Sequence, residues 1–371
     1  MLSFWERESF INFDHIIIGG GIVGLSTAVA IKEKFPKQSV AILERGTFPT
    51  GASTKNAGFA CFGSLTEIMN DLKGMTETEV QELVEFRWKG LELLRSRLGD
   101  ENIGFKNHGG YELLFEKDLD ALNSIEKVNE LLKPLFGQIV YSESVGLISE
   151  FGFNQQQVKS LIKNPLEAQI DSGKMMKSLE SFAQQLGIKV FTNCEVLSFE
   201  ETSEGVTVNT PQASFKARKL AICSNAFTRK LLPETELKPG RGVVLVTKPI
   251  VNLPFKGTFH YEEGYYYFRN YEDRIIFGGG RNLDIEGEES TEFEVRELIL
   301  DKLKSDLKNI ILPNQNFEVD MAWAGIMAFG KTKQPIVKKL SENIVLGVRL
   351  GGMGVAVGSK VGQRLASLML E

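Results

Sequence analysis

The chain has few cysteines and few histidines. Its 371 residues include three of each, and none of the cysteines Cys61, Cys194 and Cys223 forms a CxxC pair. Three cysteines cannot build a disulfide framework, and an odd number is typical of a reducing compartment, so we expect a cytoplasmic protein. The histidines share no ligand spacing with one another or with the cysteines, and we therefore expect no metal site.

The sequence also lacks a basic block and a long apolar run. Lysine and arginine number 43 against 48 acidic residues, a net charge of -5, so nucleic acid is not an expected partner. The uncharged run 16–31 is too short to cross a bilayer and follows acidic residues, so we expect neither a signal peptide nor a transmembrane segment.

The N-terminal part predicts a strand, a helix and a second strand. Residues 15–18 are apolar without alternation, as in a parallel strand that is covered on both faces. Residues 22–35 have helical character, with lysines near the C-terminal end, and residues 40–43 predict the next strand. Such a βαβ unit opens a doubly wound α/β domain.

A glycine motif joins this first strand to the helix. Gly19-x-Gly21-x-x-Gly24 is a weak pattern by itself in a chain with 36 glycines. Glu44, however, ends the second strand twenty residues after Gly24, where a carboxylate can accept hydrogen bonds from ribose hydroxyls. Together these features predict a dinucleotide site, with pyrophosphate at the helix N-terminus.

Two further loops bear on which dinucleotide binds. Residues 51–58 are small and hydroxyl-bearing, and residues 346–356 predict a strand, a glycine loop and a helix start. The second loop offers more N–H donors to an electron-rich ligand edge. Both loops favour a large cofactor over a nicotinamide, although ordinary glycine turns are an alternative explanation.

These motifs, in their order and spacing, resemble the D-amino acid oxidase-like family of FAD-dependent oxidoreductases. That family includes glycine oxidase, sarcosine oxidase and gamma-glutamylputrescine oxidase. The resemblance spans nearly the whole chain and is carried by residues 16–24, Glu44-Arg45, 51–58, 223–227, 239–242, Trp323-Ala-Gly325 and 351–354.

The resemblance implies how FAD is bound. It places the pyrophosphate on the first glycine turn, the ribose and adenine beside the second strand and strand 196–199, and the flavin on the two later loops. The implied residues are Gly19, Gly21, Ile22, Val23, Gly24, Glu44, Arg45, Ser53, Thr54, Asn56, Ala57, Gly58, Val196, Gly351, Gly352, Met353, Gly354 and Val355. Lys55 stands where covalent-flavin relatives have histidine, so we expect non-covalent FAD.

The chain departs from the family pattern at the substrate end. Met327 stands where glycine oxidase-like members carry the arginine that clamps the substrate carboxylate, and Ala356 stands where sarcosine oxidase-like members carry a lysine. These departures put a small amino acid substrate and rapid use of oxygen in doubt. The apolar Met327 favours a larger or secondary amine.

An aromatic strand is the candidate substrate wall. Alternation places Tyr265, Tyr267 and Arg269 on one face, while plain sheet packing is an equal alternative. Trp323 is either a cavity or a core residue. The lone His260 nearby favours a surface or hydrogen-bonded role over that of a base.

The order of elements predicts two interleaved domains in an α/β fold. A Rossmann-like FAD-binding domain of the glutathione reductase type takes residues 1–75, 165–235 and 320–371. An α+β substrate domain, built on an antiparallel sheet, takes residues 76–164 and 236–319.

The expected reaction is oxidation of the C–N bond of an amine or amino acid by hydride transfer to flavin N5, giving an imine that water hydrolyses. The electron acceptor is either oxygen or a carrier, and the oligomeric state stays open. Three alternatives remain: a 2-hydroxy acid dehydrogenase with His260 or His108 as base, an NAD-dependent dehydrogenase, and a flavoprotein without catalytic activity.

Overall fold

The computed structural model describes residues 3–371, which form two large sheets flanked by helices. The helices are α1 (Phe4–Phe10), α2 (Ile22–Lys34), α3 (Ala52–Lys55), α4 (Leu65–Asp71), α5 (Glu77–Leu98), α6 (Ile125–Phe136), α7 (Gly146–Glu150), α8 (Ser172–Gln185), α9 (Glu297–Asp306) and α10 (Gly354–Leu370). None of the helices within residues 3–371 has both the length and the apolar character that crossing a membrane requires.

The strands number eighteen among the described residues. They are β1 (Asn12–Ile18), β2 (Val40–Leu43), β3 (Phe59–Ala60), β4 (Gly110–Leu114), β5 (Ser142–Glu143), β6 (Ser160–Asn164), β7 (Ala168–Gln169), β8 (Lys189–Phe191), β9 (Ser198–Thr202), β10 (Gly205–Asn209), β11 (Ser214–Ile222), β12 (Lys238–Thr247), β13 (Thr258–Tyr261), β14 (Tyr266–Tyr271), β15 (Arg274–Gly279), β16 (Val319–Phe329), β17 (Ile336–Lys339) and β18 (Ile344–Val348).

The first sheet has a parallel centre and confirms the predicted Rossmann-like unit. Its order is β17-β18-β11-β1-β2-β8, with β18, β11, β1, β2 and β8 parallel and the hairpin β9-β10 joined to β11. Helices α2 and α10 cover one face. They pack closely because α10 lacks side chains where it meets α2: a Cβ atom on Gly362 would lie 2.6 Å from Cβ of Ser26.

The second sheet has the order β16-β12-β15-β14-β13-β4-β6-β5 and is antiparallel except for the pair β13-β4. One of its faces is apolar, because alternate residues such as Phe259, Phe268 and Phe277 pack against Ile299 and Leu303 of α9. The opposite face is therefore the one available to form a binding site.

Residues 320–329, which the sequence predicts in the FAD-binding part, lie in β16, and β16 pairs along its length with β12 in the antiparallel sheet. Helix α6 is preceded by a 3₁₀ segment, Glu116–Ser124, and the chain becomes α-helical at Ile125. Asp and Asn side chains compete with helical hydrogen bonds, which explains the tighter first turns. The remaining domain boundaries stay a prediction.

Candidate functional site

A cavity of about 680 Å³ is lined by residues of both sheets. On one side it is lined by the loops that follow β1, β2 and β18, at the carboxyl ends of the parallel strands. On the other side it is lined by the exposed face of the antiparallel sheet. In doubly wound folds, cofactors bind at these carboxyl ends, so the cavity lies where the glycine motif predicted it.

The first glycine turn is held by its neighbours. Gly19 has a φ of +105°, and a Cβ atom there would lie 2.8 Å from the carbonyl oxygen of Cys223. Gly24 is required for packing, since its Cβ atom would lie 1.9 Å from the carbonyl oxygen of Gly19. Gly24 does not line the cavity, and its predicted contact with the cofactor becomes a contact within the turn.

Glu44 is fixed at the end of β2. Its Oε2 accepts a hydrogen bond of 2.8 Å from Gly20 N–H, and its Oε1 accepts one of 2.9 Å from Gly46 N–H. The carboxylate is 7 % exposed and lines the cavity. Each oxygen keeps a free lone pair, so Glu44 can accept hydrogen bonds from two ribose hydroxyls. Beside it, Arg45 packs over the ring of Phe227.

The loop 51–58 runs along the cavity from the N-terminus of α2 to the antiparallel sheet. Ser53 was placed with the flavin, but its Oγ accepts a hydrogen bond of 3.0 Å from Ile22 N–H at the N-terminus of α2. Thr54 does not line the cavity, because its hydroxyl donates to Pro49 O at 2.7 Å. The Asn56 amide bonds the loop's own backbone, and so it shapes the loop from within.

The late glycine loop presents a helix N-terminus to the cavity. Gly351 and Gly352 have φ of +57° and +84°, and α10 begins directly after them. Its N-cap, Met353, makes no side-chain cap hydrogen bond. The N–H groups of a helix's first turn have no partner within the helix, and those of Gly354 and Val355 lie in the cavity wall. They are suited to the electron-rich edge of a ring.

These donors and acceptors fit FAD. The cavity offers a helix N-terminus for the pyrophosphate, a carboxylate for the ribose, and a second helix N-terminus for the flavin. All the predicted cofactor residues except Gly24 and Thr54 line it: Gly19, Gly21, Ile22, Val23, Glu44, Arg45, Ser53, Asn56, Ala57, Gly58, Val196, Gly351, Gly352, Met353, Gly354 and Val355.

A row of paired residues crosses the cavity face of the antiparallel sheet. Tyr267 pairs with Gly278 of β15 and with His260 of β13, and His260 pairs with Glu112 of β4. Because directly paired residues point to the same face, these side chains lie side by side. A Cβ atom on Gly278 would lie 2.6 Å from the Tyr267 ring, so this glycine makes room for the ring.

Of the predicted substrate residues, Tyr265, Tyr267 and Met327 line the cavity, and Arg269 and Trp323 do not. Arg269 shares the face of Tyr267, as alternation predicted. Its guanidinium lies against loop 51–58, called the flavin loop below, and donates to Ala57 O of that loop. It also donates, at 2.9 Å, to Ile170 O just after β7. Burial lowers the pKa of Arg269 to about 10.

Trp323 has a similar role at the other end of the same loop. Its indole N–H donates to Lys55 O at 2.9 Å. Trp323 and Arg269 therefore hold the backbone of residues 55–57 from the antiparallel sheet. Of the two roles that the sequence left open for Trp323, its position outside the cavity lining favours the core role. A loop carbonyl needs such donors when it is buried between two sheets.

His260 is neither a surface residue nor a fully hydrogen-bonded one. It is 9 % exposed and lines the cavity, and among residues 3–371 its Nε2 has no hydrogen-bond partner. Oε2 of Glu167 lies 3.5 Å from that nitrogen. Cys61 also lies nearby. Its Sγ, a ring nitrogen of His260 and a carboxylate oxygen of Glu167, atoms that could each bind a metal ion, lie within 4.8 Å of one another. Spacing along the chain could not reveal this cluster.

Carboxylates decide the charge of this histidine. Burial by itself lowers the pKa of His260, but Glu167, with the charges of Glu112 and Glu67, outweighs burial and raises it. For Glu112, in contrast, burial outweighs the hydrogen bonds from Thr66 and Ser64 and raises the pKa of this carboxyl above its usual range. The neighbouring carboxylates therefore favour the protonated form of His260.

Sequence reasoning missed Glu167, Glu112 and Arg281. The two glutamates follow no recognisable motif, and only the pairing of β13 with β4 and the packing of the loop before β7 bring them to His260. Arg281 lies two residues beyond β15 and lines the cavity. The strand-turn-strand pattern of residues 258–271 was the available signal for His260, since it places that residue opposite Tyr267.

Comparison with known proteins agrees with this geometry. The family model described as DAO, FAD dependent oxidoreductase, matches residues 14–368. Glycine oxidase of Bacillus subtilis (strain 168) is 21% identical over 90% of this chain and 85% of its own length. The crystal structure of glycine oxidase from Geobacillus kaustophilus has a TM-score of 0.79 at 18% identity and covers 97% of this chain and 95% of its own.

Relatives that act on hydroxy acids are also similar. L-2-hydroxyglutarate dehydrogenase of Escherichia coli (strain K12) is 22% identical over 67% of this chain and 53% of its own length. The match to the family model covers both glycine loops, whereas the likeness to any single relative is distant. The comparisons thus bear on the cofactor and the fold more strongly than on the substrate.

Proposed function

Since the chain belongs to the family of FAD-dependent oxidoreductases, DAO, we propose that it oxidises the C–N bond of an amine or amino acid. One observation carries the proposal. The N-termini of α2 and α10 line the same cavity as Tyr267, Met327 and His260, so a cofactor on the loops would face these side chains. FAD, when bound, supplies the hydride acceptor. The NAD-dependent alternative is set aside.

The chain's own residues position the substrate and limit access by water. Tyr267 packs edge-on against Phe59, and burial raises the pKa of its hydroxyl to about 12, so this hydroxyl remains a donor near neutral pH. A Cβ atom on Gly242 would lie 2.9 Å from Met327 Cε and 3.8 Å from the Tyr267 hydroxyl. The two side chains thus flank one small apolar space, which can hold the carbon to be oxidised.

The amine assignment does not require a protein base. An amine deprotonated in solution can lose hydride from its α-carbon and become an imine that water hydrolyses. No cysteine nucleophile is needed either, and burial raises the pKa of the Cys61 thiol well above its usual range. The protonated form of His260, which Glu167 favours, would instead keep a second ammonium group away from that part of the wall.

A second candidate is oxidation of a 2-hydroxy acid, and the position of His260 favours it. This reaction needs a base for the hydroxyl proton, and His260 is a histidine of the cavity wall, whereas His108 does not line it. The raised pKa of His260 limits this role, because the neutral imidazole forms only as the pH rises through that pKa.

Anaerobic reduction distinguishes the two candidates. We would mix the holoenzyme with amines, amino acids and 2-hydroxy acids and follow bleaching of the flavin band. Under the amine proposal, amines bleach the flavin and His260→Gln changes the rate by less than tenfold. Bleaching by hydroxy acids alone, abolished in His260→Gln but kept in the control His108→Ala, would replace it with the second candidate.

Other parts of the proposal concern the flavin linkage and the acceptor. We propose non-covalent FAD, because Lys55 occupies the histidine position of covalent relatives and its Nζ lies 5.1 Å from the Phe293 ring centroid. Acid precipitation should release the flavin to the supernatant. The acceptor is oxygen or a carrier, and reoxidation in air measures which. The cytoplasm stays the proposed location, supported by three buried free cysteines.

A further inference from the structure

We propose that Arg281 binds a carboxylate of the substrate, and this inference rests on the proposed function. Arg281 lines the cavity just after β15. Its guanidinium carbon lies 4.2 Å from the ring centroid of Phe329 and 5.9 Å from that of Tyr265. Within residues 3–371, no carboxylate oxygen comes within the 4.0 Å of an ion pair with it.

Of the other cations of the cavity wall, Lys230 and Lys333 form ion pairs within residues 3–371, whereas Arg45, Lys55 and Lys331 form none. Lys333 contacts Asp71 at 2.6 Å, and Lys230 contacts Glu195 at 3.5 Å. Arg45 packs on Phe227 at the adenosine end of the cavity. Arg45, Lys55 and Arg281 are each partly buried, packed over an aromatic ring and without a carboxylate partner in the described part of the chain. Of these three, Arg281 packs over Phe329 of β16, the strand that also carries Met327.

Two glycines of β12 fix where this guanidinium lies relative to Met327. A Cβ atom on Gly240 would lie 3.6 Å from Arg281 Cδ, and one on Gly242 would lie 2.9 Å from Met327 Cε. Residues two apart on a strand face the same side about 7 Å from each other. The side chains of Arg281 and Met327 therefore lie over neighbouring positions on the same face of β12.

This spacing defines a substrate class. An arginine binds a carboxylate through two parallel hydrogen bonds, and stacking on an aromatic ring leaves its N–H edge free to do so. A carbon chain that fills the apolar space between Met327 and Tyr267 would reach Arg281 with a distant carboxylate. The favoured substrate is thus an amine whose oxidised carbon is separated from its anionic group by several bonds, in contrast to glycine.

The test measures anion binding without turnover. Holoenzyme is titrated with glutarate, with acetate, and with neutral propionamide, and the Kd is read from the perturbed flavin absorption spectrum. We expect Arg281→Met to weaken glutarate binding at least tenfold and to leave propionamide unchanged. Arg281→Lys should retain part of the affinity, because it keeps the charge and loses the planar fork.

The matched control is Arg274→Met, which alters an arginine of the same hairpin that lies outside the cavity and pairs with Asp320 at 2.6 Å. It should leave glutarate binding unchanged. Binding of glutarate within twofold of wild type in Arg281→Met would overturn the proposal. If Arg281→Met fails to hold FAD, Arg281→Lys decides, since wild-type glutarate affinity with an ammonium in place of the guanidinium also overturns it.

The result separates this inference from the proposed function. Reduction by amines, with glutarate affinity independent of Arg281, would remove the inference and keep the function. Glutarate binding that depends on Arg281, without reduction by any amine, would remove the function and keep the anion site.

Discussion

Replacing Arg269 with methionine tests whether this residue holds the flavin loop. Its guanidinium donates to Ala57 O, to Ile170 O at 2.9 Å and to Asn270 O at 3.3 Å, and it is 3 % exposed. A buried acceptor left without a donor costs about 1–3 kcal/mol. Ala57 and Ile170 would both lose theirs, and relief from burying an unpaired cation offsets part of the loss. We expect unfolding to become easier by roughly 2–4 kcal/mol.

The assay compares apoprotein and holoenzyme. Urea unfolding followed by circular dichroism gives the stability of the apoprotein, and quenching of FAD fluorescence gives the Kd of the cofactor. Because Ala57 borders the cavity, the FAD Kd should rise about tenfold or more, which corresponds to 1.4 kcal/mol. Arg274→Met, which removes a partly exposed ion pair, should change stability by less than about 1 kcal/mol.

The reasoning about Arg269 would be refuted by one clear result. If Arg269→Met unfolds within about 0.5 kcal/mol of wild type, as surface substitutions usually do, and binds FAD equally well, the loop does not depend on this side chain. A large loss of stability with an unchanged FAD Kd would assign Arg269 to the sheet alone.

Two further predictions concern the glycine turn and the buried histidine. Gly24→Ala should abolish FAD binding, because its Cβ atom would lie 1.9 Å from Gly19 O. Gly146→Ala, outside the cavity, has no atom within 4 Å of its Cβ and should bind FAD normally; equal FAD content in the two variants would contradict the packing argument. The pKa of His260 is raised by Glu167, so its pairing stabilises the fold fully below its usual pKa and is lost as the pH rises through the raised value. Urea unfolding from about pH 6 to about pH 9 should therefore show a steeper decline for wild type than for His260→Gln, and parallel curves would contradict the assignment.

The cofactor side of the site could be predicted well from the sequence. Gly19, Gly21 and Glu44 act through backbone conformation and one carboxylate, and both requirements leave short patterns at fixed spacing. Short patterns are local, so they remain visible without knowledge of the fold. Gly24 and Thr54 do not line the cavity, because the local pattern indicates proximity to the turn but not the direction in which a group points.

The substrate side could be predicted only in part, because a strand's alternation gives the face and not what covers it. Tyr267 and Arg269 lie on one face of β14, and Tyr265 lies in the turn before the strand. Loop 51–58 covers that face at one end, so Arg269 meets backbone carbonyls where Tyr267 meets the cavity. Which segment of a chain covers a sheet is decided by tertiary packing, and one strand's sequence carries no signal for it.

The position of loop 51–58 over the sheet explains why Trp323 and Arg269 bond the loop backbone, whereas Arg281 lines the cavity. Carbonyl oxygens of the flavin loop are buried between the sheets, and buried carbonyls need donors, which Trp323 and Arg269 provide from the antiparallel sheet. Donors used in this way cannot also bind a substrate. Arg281 lines the cavity, and within residues 3–371 its side chain makes no hydrogen bond to the loop, so its guanidinium is available to a carboxylate that enters the cavity.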